Sequence, residues 1–142
     1  MRKPQYFELD EFLRSDTALK YRIPNYPSWE IIEHLNELAL FLDGIREAWG
    51  SGIRITSGFR CPQLNQAVGG VQLSGHQYGY ACDMVPTNGK LDEFEAFLKR
   101  YLKDKAFDEC LWERKASGSR WVHFSIRSSR GLQRRKMFGL VA

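Results

Sequence analysis

The chain has 142 residues, 43% of them hydrophobic and 27% charged, the balance of a globular domain with a real core and not of a disordered segment. A formal charge of +4 permits a polyanionic partner without requiring one, and no apolar run approaches the roughly 20 residues that cross a bilayer. The expectation is one domain over residues 1–142, monomeric, with no membrane span and no nucleic-acid partner.

The opening stretch "MRKPQYFELDEFLRSD" has basic residues but no apolar segment behind them, which makes a poor secretory signal and points to cytoplasmic synthesis. "NYPSWEIIEHLNELALFLDGIREAWGSG" carries the clearest periodicity: Ile31, Ile32, Leu35, Leu38, Leu42, Ile45 and Trp49 recur at helical spacing. Ser28 can cap that helix, while Gly50 and Gly52 can stop it. "IRITS" alternates apolar and polar residues and reads as a strand. "CPQLNQAV" reads as a short helix entered through Pro62, and "YACDMV" as a short strand. "LDEFEAFLKRYLKD" returns to the helical period through Phe94, Phe97, Leu98 and Tyr101. "ECLWE" and "RWVHFSI", joined by "RKASGS", read as a β-hairpin. Helices and strands do not alternate regularly, so the predicted class is α+β, with a small, mainly antiparallel sheet packed against helices. The tail from Arg127 to Lys136 holds five basic residues in ten positions. A solvated last strand or tail accounts for it, and attraction to anionic wall polymers is the sharper alternative.

Cys61, Cys82 and Cys110 form an odd, widely spaced set that suits free thiols in a reducing compartment. The three histidines differ in setting. His34 sits inside the long helix and reads as a surface or partly buried side chain. His76 lies on the loop feeding "YACDMV", which contains Asp83, and His123 lies within "RWVHFSI". Two imidazoles and a carboxylate make a catalytic zinc set that leaves a fourth position open. The spacing alone leaves a second reading open, in which Asp83 caps a turn and the histidines are unrelated. Cys82 alternates to the opposite face of its strand from Asp83 and is not counted as a ligand.

The segment "SGFRCPQLNQAVGGVQLSGHQYGYACDM" resembles the zinc D-alanyl-D-alanine peptidases of bacteria and phages. These comprise carboxypeptidases, vancomycin-resistance dipeptidases and phage endolysins, and they share a fold with the Hedgehog signalling domain. The matching blocks are Ser57-Gly58-Phe59-Arg60, Leu64-Asn65 with Val68-Gly69-Gly70, Ser74 through Asp83, and Trp121-Val122-His123. "FELDEFLRSDTALKYRIPNYPSW" is similar to the front of the short, single-domain branch. The resemblance implies one Zn²⁺ per chain held by His76, Asp83 and His123, with Arg60 facing the substrate through its fixed fork of donors. Ser74 matches a serine that either bonds substrate or shapes the loop. Tyr78 and Tyr80, which flank Gly79, and Trp121, which neighbours a ligand, are candidates to line the cleft.

A hydrolase of this kind needs a general base. Some branches of the family place an acid three positions before the last histidine, where this chain has Arg120. The nearest replacement is Glu113: a hairpin that pairs it with Trp121 sends Glu113 and His123 to one face, and a register slip of one residue turns it away. Asp108 and Glu109 are the fallbacks. The resemblance thus implies a zinc peptidase acting on peptidoglycan peptides as a carboxypeptidase or endopeptidase, with Glu113 and Arg60 as its catalytic residues. Its substrate would lie in the cell wall, which fits a phage lysis or virion protein. The rival is a binding module of the same fold that does no hydrolysis.

Overall fold

Helix α2 (Trp29–Trp49) dominates the helical layer, and the computed structural model, which describes residues 2–141, explains both of its ends. The Ser28 hydroxyl accepts from the Ile31 N–H at 3.2 Å, and Gly50 takes the left-handed conformation (φ 80°) that closes the helix. Leu35, Leu38, Ala39, Leu42 and Ile45 form its buried stripe. The two shorter helices before and after it are α1 (Asp16–Lys20) and α3 (Pro62–Ala67). Helix α4 (Leu91–Tyr101) adds Phe94 and Leu98 to the core. The predicted helix does not run through Asp104 as an α-helix: its last residues, Leu102–Asp104, tighten into a 3-10 turn.

The five strands are β1 (Ile53–Ser57), β2 (Ala81–Pro86), β3 (Glu109–Arg114), β4 (Arg120–Ser125) and β5 (Lys136–Val141). They form one sheet in the order β1-β2-β4-β3-β5, in which every pairing is antiparallel except β3 with β5. The expected α+β class with a mainly antiparallel sheet is the one found. The basic tail divides: its residues up to Arg135 connect β4 to β5, and Lys136 opens the added strand.

Alternation gives the sheet two chemically different faces. Cys82, Met84, Cys110, Val122 and Phe124 are fully buried and join the side chains of α2 and α4 in the main core. Phe124 stacks on Phe41 of α2 and on Phe107. The other face presents Asp83, Leu111, Glu113, Trp121 and His123 to an open cavity of about 1000 Å³. The core therefore serves as a rigid plate, and the chemistry sits on its uncovered side.

Candidate metal centre

Three elements converge on one point. Asp83 on β2 and His123 on β4 are direct cross-strand partners, which brings the His123 Nδ1 to 3.1 Å from Asp83 Oδ1. His76 enters from the 3-10 turn Gly75–Tyr78, with its Nε2 at 3.4 Å from the same oxygen. One ligand atom from each residue lies within 4.8 Å of the others.

The loop that carries His76 is held from several sides. The Ser74 hydroxyl caps the turn by accepting from the His76 N–H at 3.2 Å, so of the two readings for Ser74 its hydroxyl visibly performs the loop-shaping one. Gly79 ends the turn at φ 76°, where a Cβ would stand 2.9 Å from the Ile31 carbonyl oxygen of α2. The His76 Nδ1–H donates to the Gly58 carbonyl at 2.7 Å. That bond fixes the tautomer and leaves Nε2 with a free lone pair.

Nε2 of His76 is buried and has no hydrogen-bond partner. A buried imidazole nitrogen left bare is costly unless something occupies its lone pair. A cation shared with Asp83 and His123 satisfies it. The donor set of two nitrogens and one carboxylate oxygen fits zinc in an open, catalytic arrangement. The residues present therefore fit the metal.

Electrostatics agree. Burial would raise the Asp83 carboxyl, but the two histidines beside it hold it well below the usual carboxylate range. Burial would lower His123, yet the Asp83 and Glu109 carboxylates beside it push it up to about 9 in the absence of a cation. Burial pushes His76 down, which favours the neutral ring that a metal requires.

Arg60 stands beside the carboxylate, with its NH2 nitrogen 3.7 Å from Asp83 Oδ2. Its remaining donors are steadied by Ser57 Oγ at 3.4 Å and Asn65 Oδ1 at 3.2 Å. Asn65 in turn donates to the Val71 carbonyl at 3.0 Å, and a Cβ on Gly70 would meet Asn65 Oδ1 and the Arg60 fork. The Leu64-Asn65 and Gly69-Gly70 blocks thus build a cradle for Arg60. The polar character of Asn65 was visible in the sequence, but its partner was not.

The hairpin register pairs Glu113 with Trp121, which brings Glu113 to the same cavity as His123. The Trp121 indole N–H donates to Glu113 Oε2 at 2.6 Å. Burial, then the Asp83 charge, raises the Glu113 carboxyl above its ordinary value, as suits a group that must exchange a proton near neutrality. Arg120 points to the opposite face, where it pairs with Asp92 at 2.8 Å and Glu95 at 3.3 Å of α4. Three positions along a strand reverses the face, so Arg120 neither supplies nor obstructs a base.

The two fallbacks also line the cavity, but other partners hold them. Asp108 is 1% exposed and holds Arg134 by two bonds of 2.8 Å. Glu109 Oε1 lies 3.6 Å from His123 Nε2, on the side of the ring away from Asp83. Tyr78 and Tyr80 do not line the cavity. Tyr80 stacks on His34 of α2 at 4.1 Å and bonds its Nε2 at 3.1 Å, while the Tyr78 carbonyl accepts from His34 Nδ1–H at 2.7 Å. His34 is therefore a packing residue that ties the ligand loop to α2.

No helix among the described residues is long and apolar enough to cross a membrane. Residues 5–125 match the peptidase M15 family. No curated protein matches the chain.

Proposed function

The chain thus belongs to the peptidase M15 family, a family of zinc-dependent metallopeptidases, and from that premise we propose that it hydrolyses amide bonds of peptidoglycan peptides, as a carboxypeptidase or endopeptidase. The observation that carries the metal is the buried, partnerless Nε2 of His76 aimed at Asp83 and His123. Those three residues would hold one zinc, which when bound supplies the Lewis acidity that polarises a carbonyl and lowers the pKa of water.

The chain's own groups supply the rest. Glu113 accepts the proton of the attacking water and passes it to the leaving amine. The Trp121 N–H holds one Glu113 oxygen and leaves the other for that exchange. Arg60, steadied by Ser57 and Asn65, faces the cavity and donates to the carbonyl oxygen as negative charge develops there. Trp121 also walls the cleft for substrate. An inactive binding module of the same fold would have no use for a half-buried carboxyl raised above its ordinary value beside the cation site, so Glu113 favours the enzyme.

The test has two parts. Zinc per chain is measured in wild type and in His76→Ala, with about one ion expected in the first and none in the second. The metal-loaded protein is then incubated with purified peptidoglycan and new free amines are counted. Glu113→Gln should keep its zinc and its bond from Trp121 while turnover drops about 10²–10⁴-fold. Full activity in that variant removes Glu113 from the mechanism, and absence of zinc from wild type removes the metallopeptidase reading.

A further inference from the structure

His123 presents Nδ1 to Asp83 and Nε2 to Glu109. A neutral imidazole binds a metal only through the nitrogen that carries no proton, so one of these two faces must keep the proton. We propose that Glu109 is a positioning residue that holds the His123 proton on Nε2, so that Nδ1 is the atom offered to the cation. The inference rests on the metal reading above.

Geometry supports the assignment. Glu109 pairs with Ser125 across the hairpin, and His123 is two residues from Ser125 on the same strand face. Glu109 is thus the diagonal neighbour of the ligand, within reach of a long side chain. Its Oε1 is 3.6 Å from His123 Nε2, and its Oε2 is 3.8 Å from the Arg134 NH2 nitrogen. Arg134 is itself fixed by both oxygens of the buried Asp108. The Glu109 backbone N–H is pinned by Ser125 Oγ at 3.1 Å. Glu109 lines the same cavity as the ligands, and these contacts hold its carboxylate against the far side of the His123 ring.

This placement separates Glu109 from Glu113. Both carboxylates line the cavity, but Glu109 is held between His123 Nε2 and Arg134, whereas Glu113 is held by the Trp121 N–H and keeps one oxygen for the reaction. Together with the Gly58 carbonyl, which binds Nδ1–H of His76, it gives the two histidines opposite tautomers. One ring offers Nε2 and the other Nδ1. Acceptors behind a metal-binding imidazole typically contribute about 10–100-fold to metal affinity.

The experiment compares wild type, Glu109→Ala and Glu109→Gln. Zinc affinity is read by competition with a chromophoric chelator, and the His123 tautomer by nitrogen-15 imidazole NMR. The NMR arm uses zinc-loaded protein, because without the cation the Asp83 carboxylate at 3.1 Å is itself an acceptor for a proton on Nδ1. Wild type should show the proton on Nε2 and Nδ1 facing the metal, and Glu109→Ala should bind zinc about 10–100-fold more weakly. Glu109→Gln, whose amide oxygen still accepts, should recover most of the affinity. Should Glu109→Ala fail to fold, Glu109→Thr keeps strand propensity while falling short of the ring. A wild-type His123 protonated on Nδ1, or a zinc affinity in Glu109→Ala within about twofold of wild type, overturns the proposal. A wild type that binds no zinc sinks the metallopeptidase reading, whereas a wild type that binds zinc with an affinity Glu109→Ala leaves unchanged sinks the role of Glu109 alone.

Discussion

At the scale of single residues, the bond from the Trp121 indole to Glu113 ties two roles together. Trp121 is half wall and half hydrogen-bond donor. Trp121→Phe keeps the wall and removes the donor, so zinc content should stay at the wild-type level while turnover falls about tenfold, the loss expected for one charge-assisted hydrogen bond. An equal loss of zinc and turnover would show that the ring supports the metal loop instead. Arg60 carries a different constraint. Its fork is shared among Ser57, Asn65 and Asp83, a planar arrangement that an ammonium cannot reproduce. Arg60→Lys, measured on the same amine-release assay, should therefore lose activity by about 10²-fold despite the retained charge.

At the scale of elements, the ligand geometry depends on two devices. The first is the hairpin, whose register puts Glu113 opposite Trp121. That device was legible in advance, because period-2 alternation on both strands and the Gly-containing turn between them leave few registers that bury the apolar face. The long helix was legible for the same kind of reason: its stripe, its serine cap and its glycine stop are all local signals.

The second device was not legible. His76 is oriented by a backbone carbonyl, that of Gly58, and the loop around Gly58 is clamped by the N-terminal segment. The Phe59 N–H donates to the Phe12 carbonyl at 2.7 Å, and a Cβ on Gly58 would collide with the Phe12 backbone. The buried Asn25 donates to the Phe59 carbonyl at 2.9 Å and accepts from the Cys61 N–H at 2.8 Å. Backbone partners of this sort leave no side-chain signature in a sequence. A last strand was one reading of the tail, but the parallel pairing of β5 with β3 escaped for a related reason, since it is non-local and the sequence marks neither direction nor partner. The tyrosines flanking Gly79 pointed to a cleft, but the Tyr80 ring packs against His34 of α2 and Tyr78 meets the same histidine through its carbonyl. Gly79→Ala tests the clamp from the α2 side. It forces a side chain into the left-handed region and against the Ile31 carbonyl, and urea unfolding should show a loss of about 1–3 kcal/mol.

At the scale of the molecule, one sheet face is hydrocarbon and the other is charge. The core face sets stability. Leu38 is fully buried, and Leu38→Ala should cost about 2–5 kcal/mol in denaturant unfolding. The charged face adds a pH-dependent part. Burial opposes ionisation of Asp108, yet its bonds to Arg134 hold the carboxyl below its ordinary value. A depressed folded-state pKa stabilises the protein above the unfolded value near 3.8, and that contribution disappears as pH falls through the folded value. Thermal unfolding of wild type and Asp108→Asn should therefore differ clearly near neutrality and converge as pH falls below 3.8.

The distribution of sulfur across those layers makes the molecule its own unfolding gauge. Cys82 and Cys110 lie sealed beneath the sheet with thiols pushed upward by burial, whereas Cys61 at the start of α3 remains partly accessible. An alkylating reagent applied to the native chain should consume one sulfhydryl promptly, and the arrival of the second and third should clock the rate at which the plate comes apart.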